Sequence, residues 1–306
     1  MTNSRLLPTA TTVALLLAAG CGPGLDASGE DELSASSHEI VGGTTDTGHD
    51  AVALLYADPG YICTGTIIDS RVFLTAAHCV VDSANANDYV VLGGTDLNNS
   101  EPDYQINVSA VHVHPQYDAA NSLNDIGIVE LSSNAPVEPY RWLTTGADAS
   151  DIYEVGQPFT AVGYGDTGGA GDTSGKKRKV DMDIVEIYQD VTIYGTGTEN
   201  TCFGDSGGPD LVTIDGYPTV IGVHSFVTGG DCFQYGGSMR TDDNRTFIGT
   251  YAGPNDGTAK AGGGGEGGSH GKNPLACSIA SVTSTSPLAA ALMAFVAIVT
   301  VARRRR

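Results

Sequence analysis

Short apolar stretches broken by Gly, Asp, Asn and Ser recur through the middle of the chain, at 52–56, 62–68, 72–75, 104–108, 126–131, 159–162, 180–187 and 220–223. Stretches of this kind, rich in Val and Ile and bounded by turn residues, read as β-strands, and their close spacing argues for a sandwich or a barrel. Only 242–251 reads as a helix, closing the β-rich body. No segment repeats at a fixed period, so a solenoid or propeller is not indicated. The class predicted from the pattern is all-β.

The ends follow other rules. An apolar run at 6–20 follows a short start containing Arg5 and reads as a signal peptide, too short and interrupted to span a membrane. It ends in Leu17-Ala18-Ala19-Gly20-Cys21, which resembles a bacterial lipobox, so 1–21 is read as a leader with Cys21 as a lipidation site. An acidic stretch, 22–39, precedes the β-rich body at 40–251. A Gly-rich linker follows at 252–276, including four consecutive glycines at 262–265, a composition that cannot bury a core. The segment 277–306 carries Cys277, an apolar run and four terminal arginines. That order resembles the sorting tails of surface proteins in myxobacteria and related bacteria, and also fits a plain anchor with arginines on the inner side. Export to a bacterial cell surface, the outer membrane or the medium is the expectation, with membrane contact only through these terminal segments.

Charge narrows the partners. The 306 residues hold 36 acidic and 15 basic side chains, a net charge of -21. Between positions 40 and 253 lie 29 acidic against 8 basic residues, so the body itself is strongly anionic and repels phosphate. Nucleic acid is therefore not an expected partner. With Cys21 and Cys277 set aside, Cys63, Cys79, Cys202 and Cys232 form an even set suited to an oxidising compartment. Four cysteines allow three pairings, of which Cys63–Cys79 and Cys202–Cys232 are the local choice. There is no CxxC and no His/Cys cluster with zinc spacing, so neither metal nor cofactor is expected.

Three elements carry candidate chemistry: Thr75-Ala76-Ala77-His78-Cys79, Asn124-Asp125-Ile126-Gly127, and Gly204-Asp205-Ser206-Gly207-Gly208-Pro209. Each alone has a bland reading, as a structural histidine, a strand cap and a turn. Together they offer a general base, an orienting carboxylate and a nucleophile in a tight turn. Separations of 47 and 81 residues mean that only a fold can assemble them.

At these residues the chain resembles the chymotrypsin/trypsin family of serine proteases. The resemblance also takes in Ile40-Val41-Gly42-Gly43, Val113-His114-Pro115, Gly163-Tyr164-Gly165 and Gly222-Val223-His224-Ser225-Phe226. It implies two six-stranded antiparallel Greek-key barrels with a short C-terminal helix and an active site between them. It implies that His78 is general base, that Asp125 orients it, that Ser206 attacks, and that the Gly204 and Ser206 N–H groups form an oxyanion hole. It further implies a monomeric zymogen acting on proteins or peptides. A cut between Glu39 and Ile40 would free an amine that pairs with Asp205, which makes 22–39 a propeptide. A binding or adhesion module on the same fold is the alternative, weighed against a complete triad.

The same resemblance points to a substrate pocket at Asn200, Thr201, His224, Ser225, Phe226 and Val227. Asn200 stands at the expected pocket base, where trypsin-like members carry Asp, so Lys or Arg loses its charge partner. His224 with Thr201 resembles the pair that holds glutamate in bacterial glutamyl endopeptidases. Val227 replaces a glycine and favours small uncharged side chains. Both readings stand at this point. Glu39 before the cut suits the first of them, since a Glu-directed enzyme could mature itself. The basic run Lys176-Lys177-Arg178-Lys179 reads as a solvated strand entry, and Glu101 and Asp103 lack diagnostic calcium spacing.

Overall fold

The computed structural model describes residues 40–144, 151–168, 173–229 and 232–253. The segments read above as leader with Cys21, propeptide up to Glu39, linker (nearly all of it) and tail lie outside these residues. No helix among the described residues is long and apolar enough to cross a membrane.

A two-residue strand, β1 (Thr44–Thr45), precedes six strands that close a first barrel: β2 (Val52–Ala57), β3 (Tyr61–Asp69), β4 (Val72–Thr75), β5 (Tyr89–Gly93), β6 (Tyr104–Val113) and β7 (Gly127–Leu131). Around the ring the order is β2-β3-β4-β7-β6-β5, all antiparallel, with β5 returning to β2. β4 is buried along its whole length, as its unbroken Val-Phe-Leu-Thr run requires, whereas β5 alternates buried and half-buried positions. Phe73 and Ile67 on one face and Leu74 and Ile128 on the other are all fully buried in the core.

The remaining strands are β8 (Arg141–Trp142), β9 (Pro158–Gly163), β10 (Arg178–Asp183), β11 (Glu186–Tyr188), β12 (Val191–Tyr194), β13 (Pro209–Ile214), β14 (Tyr217–Val227) and β15 (Gly236–Arg240). They run in the order β1-β10-β9-β13-β14-β15-β12-β11, with β8 parallel to β14. The six central strands, β10 to β12 along this path, match the expected number. The pairs among the described residues do not close them into a second ring. Instead β1 pairs with β10 and β11 with β12, extending the path to eight strands, and β8 beside β14 is the ninth. The stretch 180–187, expected as one strand, is broken between β10 and β11. There Ile184 N–H donates to Gln157 O and Val185 N–H to Ile193 O, which redirects the chain.

Helix α1 (Arg245–Tyr251) seats its aromatics on the first barrel, Tyr251 stacked on His112 and Phe247 edge-on to His114. Tyr164, just after β9, docks the two sheets. It is fully buried, and its hydroxyl donates to Gly94 O at 2.6 Å while its N–H donates to Thr64 Oγ1 at 3.0 Å. Both local disulfides form, Cys63–Cys79 and Cys202–Cys232.

The basic run departs from the solvated reading. Lys177 and Arg178 are buried, with Lys177 Nζ donating to His49 O at 2.9 Å and Arg178 Nη1 to Thr173 O at 2.9 Å. Burial pushes the Lys177 amine down despite the nearby Asp46, Asp50 and Asp103 carboxylates. Backbone carbonyls absorb these donors, which a count of charges along the chain cannot reveal.

Candidate active site

β4 delivers the chain to a single 3₁₀ turn, Ala77–Cys79, that carries His78, and the Cys63–Cys79 bridge ties this turn to β3. Asp125 lies just before β7, the neighbour of β4 in the ring, so the pairing of these two strands brings the residues together. The Asp125 carboxylate receives three hydrogen bonds. His78 N–H donates to Oδ1 at 2.8 Å, His78 Nδ1–H to Oδ2 at 2.7 Å, and Ser225 Oγ–H to Oδ2 at 2.6 Å. A carboxylate only accepts, so the proton of a neutral His78 sits on Nδ1 and leaves Nε2 as the base. Burial alone would raise the Asp125 carboxyl. The His78 charge and these hydrogen bonds outweigh it and hold the group below the usual carboxylate value.

The Cys202–Pro209 segment is fastened between the two sheets. Thr64 N–H donates to Ser206 O at 2.8 Å and Thr64 Oγ–H to Gly204 O at 2.9 Å, both from β3. On the other side Gly207 N–H donates to His224 O at 2.7 Å and His224 N–H to Gly208 O at 2.8 Å. Position 207 admits only glycine, because its φ is +84° and a Cβ there would lie 2.1 Å from Thr75 Oγ1 and 2.3 Å from Thr64 O. Ser206 thus sits on a turn whose main chain is held from both sides.

Asp205 is fully buried and accepts from Gly165 N–H at 2.7 Å and Cys202 N–H at 2.8 Å. Burial pushes its carboxyl up to about 6, with the Cys202 N–H and the His224 charge offsetting only part of the effect. Ile40 is buried in the core of the second sheet beside Phe159, Tyr194 and Ile221, its nitrogen still part of the peptide to Glu39. Val41 bridges to Asn200, whose N–H donates to Val41 O at 3.1 Å.

A cleft of about 300 Å³ is lined by His78, Asp125, Gly204 and Ser206 together. Of the residues expected to form the substrate pocket, Thr201, His224, Ser225, Phe226 and Val227 line it. Asn200 does not. It is fully buried, its Nδ2 donating to Cys232 O at 2.9 Å and its Oδ1 accepting Thr201 N–H at 2.9 Å, so it braces the wall instead of forming the base. Thr201 Oγ1 lies 3.1 Å from the Tyr194 hydroxyl.

His224 is committed to the interior. Its Nδ1 lies 3.1 Å from Asp205 O, and its Nε2 lies 3.0 Å from Asp210 Oδ1 in a close but bent ion-pair contact. Burial alone would depress the imidazole, yet the Asp210 carboxylate outweighs this and holds the group above its ordinary value. The expected glutamate-holding role is thereby corrected, since both nitrogens face other partners and one partner is an anion.

Sequence reasoning missed Asp210 and the aromatic walls Tyr61, Tyr117 and Phe203. Asp210 had a signal, an acidic residue in an otherwise apolar run after Pro209. Phe203 stands beside Cys202 in the segment that carries Ser206, whereas Tyr61 and Tyr117 come from the first barrel, far in sequence from that segment and with no local signal.

Comparison with known proteins places this geometry in context. The chain is 28% identical over 260 residues to vitamin K-dependent protein C of Rattus norvegicus, covering 76% of this chain and 56% of that one. It is 31% identical over 216 residues to trypsin alpha-4 of Lucilia cuprina, covering 64% of this chain and 82% of the other. With brachyurin of Leptuca pugilator the figures are 33% over 172 residues, 51% and 74%. The chain therefore spans little more than half the length of protein C but most of trypsin alpha-4. A model of the Trypsin family matches residues 40–247, more than half of the sequence, and this chain belongs to that family.

Proposed function

We propose that this chain is an exported serine endopeptidase, made as a zymogen and acting as a monomer on proteins or peptides. What supports the reading above all is Asp125 receiving both His78 donors, with His78 Nε2 left as base in the cleft that Ser206 lines. His78 takes the proton of Ser206 Oγ as that oxygen attacks the scissile carbonyl. The oxyanion is received by the Gly204 and Ser206 N–H groups, and the imidazolium then protonates the leaving amine. Water, activated by the same histidine, hydrolyses the acyl-enzyme and restores Ser206. The leader to Cys21 and the tail from Cys277 direct export and attachment.

Activation follows a cut between Glu39 and Ile40. In the uncut chain the Asp205 carboxylate has two peptide N–H donors; the ammonium freed at Ile40 adds a cation to a buried group that burial otherwise raises. Specificity is for small uncharged side chains. His224 is occupied, Asp210 stands behind it as a repelling anion, and Val227 lines the cleft. The bond after Glu39 is then cut by a different protease.

The test is labelling with a fluorophosphonate probe together with a peptide-library cleavage profile. The expected result is labelling at Ser206 alone and cleavage after Ala or Val in preference to Glu. A Ser206→Ala precursor should still be processed at Glu39 when an outside protease is present. Absence of labelling in processed protein would favour a silent binding module and overturn the assignment.

A further inference from the structure

The second sheet holds a histidine–aspartate pair that peptide hydrolysis as described does not use. His224 and Asp210 are both buried, on the neighbouring strands β14 and β13. As a stabiliser such a pair is weak, because desolvating both groups offsets their attraction. Its placement is more telling than its energy. The Asp205 carbonyl belongs to the peptide group whose N–H is that of Ser206, and a carbonyl only accepts, so His224 Nδ1 donates to it at 3.1 Å. Gly208 N–H donates to the same oxygen at 2.9 Å. In a trans peptide the C=O and N–H point in opposite directions, so two donors that fix the carbonyl also fix the direction of the Ser206 N–H.

Asp210 sets the ring in turn. In the β13–β14 register Asp210 faces Gly222, and residues 222 and 224 share one face of β14. A Cβ on Gly222 would lie 2.2 Å from Asp210 Oδ2, so only the bare glycine leaves room for the carboxylate to reach along the strand to His224. His224 Nε2 and Asp210 Oδ1 have no other partner among the described residues. Around the ring stand the Tyr194 ring, 6.1 Å away between centroids, Ser238 opposite on β15, and Asp205.

We propose that His224, oriented by Asp210, is a positioning residue that holds the Asp205–Ser206 peptide so that the Ser206 N–H is aligned for the oxyanion. This deepens the protease reading and rests on it. The experiment uses the full-length chain after processing, its active sites counted by fluorophosphonate titration. Kinetics are measured on a peptide amide with Ala before the scissile bond. Inhibition is compared between the matching peptide aldehyde, whose adduct with Ser206 places an oxygen in the hole, and the peptide alcohol, which forms no adduct.

His224→Val should lower kcat about tenfold, a smaller loss than the 10²–10³ for removing an oxyanion donor outright. KM and alcohol binding should stay within about twofold, while aldehyde affinity falls in step with kcat. His224→Asn, whose Nδ2 can stand in for Nδ1, should recover most of the rate, and Asp210→Asn should lie between. If KM and alcohol binding worsen as much as aldehyde binding, His224 shapes the pocket and the proposal is overturned. It is equally overturned if kcat per active site is unchanged. Should His224→Val fail to fold, Asp210→Asn decides by the same split, an unchanged kcat ending the proposal. A wild-type protein that neither labels nor hydrolyses removes the protease reading and this one with it; active wild type with unaltered variants removes this one alone.

Discussion

Two histidine–aspartate pairs lie on either side of Ser206, and they differ chiefly in exposure. The His78 side chain is 21% accessible against 3% for Asp125, whereas His224 and Asp210 are both at 2%. In the first pair one nitrogen is bound and the other opens on the cleft, so a proton can be exchanged with substrate. In the second both nitrogens face protein, and the ring can only hold what it touches. The same two side-chain types, at nearly the same spacing of 2.7 and 3.0 Å, thus suit the base proposed on one side and the brace proposed on the other. Residue identity supplies the chemistry; the open nitrogen decides whether it is used.

The widest gap between the pairs should appear in turnover. Ser206→Ala or His78→Ala should lower kcat by about 10⁶, read as peptide hydrolysis per folded molecule, far beyond the tenfold expected at His224. Activity persisting in Ser206→Ala would sink the triad assignment.

Asp125→Asn should cost about 10⁴ in kcat, because an amide facing Nδ1 favours the wrong tautomer of His78. Asp210→Asn, the matching change in the buried pair, should cost far less. Equal losses would show that the two pairs do the same work and would break the comparison.

Ser225→Ala sharpens it further, since Ser225 lies beside His224 on β14 yet serves the other pair. Loss of its 2.6 Å hydrogen bond to Asp125 should lower kcat with KM nearly constant. A hydrogen bond to a charged group is worth about 1.5–3 kcal/mol, so the drop should lie between about tenfold and about a hundredfold. A change confined to KM would assign Ser225 to substrate binding instead.

The smallest effect is on stability against pH. A histidine raised in the fold contributes stability that is complete below its unfolded value of about 6.5 and is lost as pH rises through the folded value. His224 is of this kind. Asp205 runs differently, its raised carboxyl costing stability as pH climbs from about 3.9 toward about 6 and levelling off thereafter. Above about pH 7 the His224 contribution therefore stands apart, and the Tm difference between wild type and His224→Asn should narrow as pH rises, by about 2–4 °C per kcal/mol lost. A gap that stays constant up to alkaline pH would mean that His224 is not charged in the fold.

The sequence by itself determined whatever is local in the backbone. The turn around Ser206 needs glycine at 207 for its positive φ and for close approach to β3 and β4, and a short motif carries that demand wherever it occurs. The strands β2 and β4 were legible for a related reason, since burial on both faces leaves a nearly continuous apolar run, and β3 and β7 because β-branched and aliphatic residues dominate them. Strands β5, β12, β13 and β15 were not foreseen. β13 starts on a proline inside the nucleophile motif and β15 on two glycines, and both are strands because partners on each side pair with them. The pocket was least legible. Asn200, Thr201 and His224 were read as groups facing substrate, yet Asn200 braces Cys232 and His224 spends both nitrogens on Asp205 and Asp210. Which way a polar side chain faces depends on residues brought alongside by strand register and on the space a bare Gly222 leaves. Those are properties of packing, and only the tertiary structure decides them.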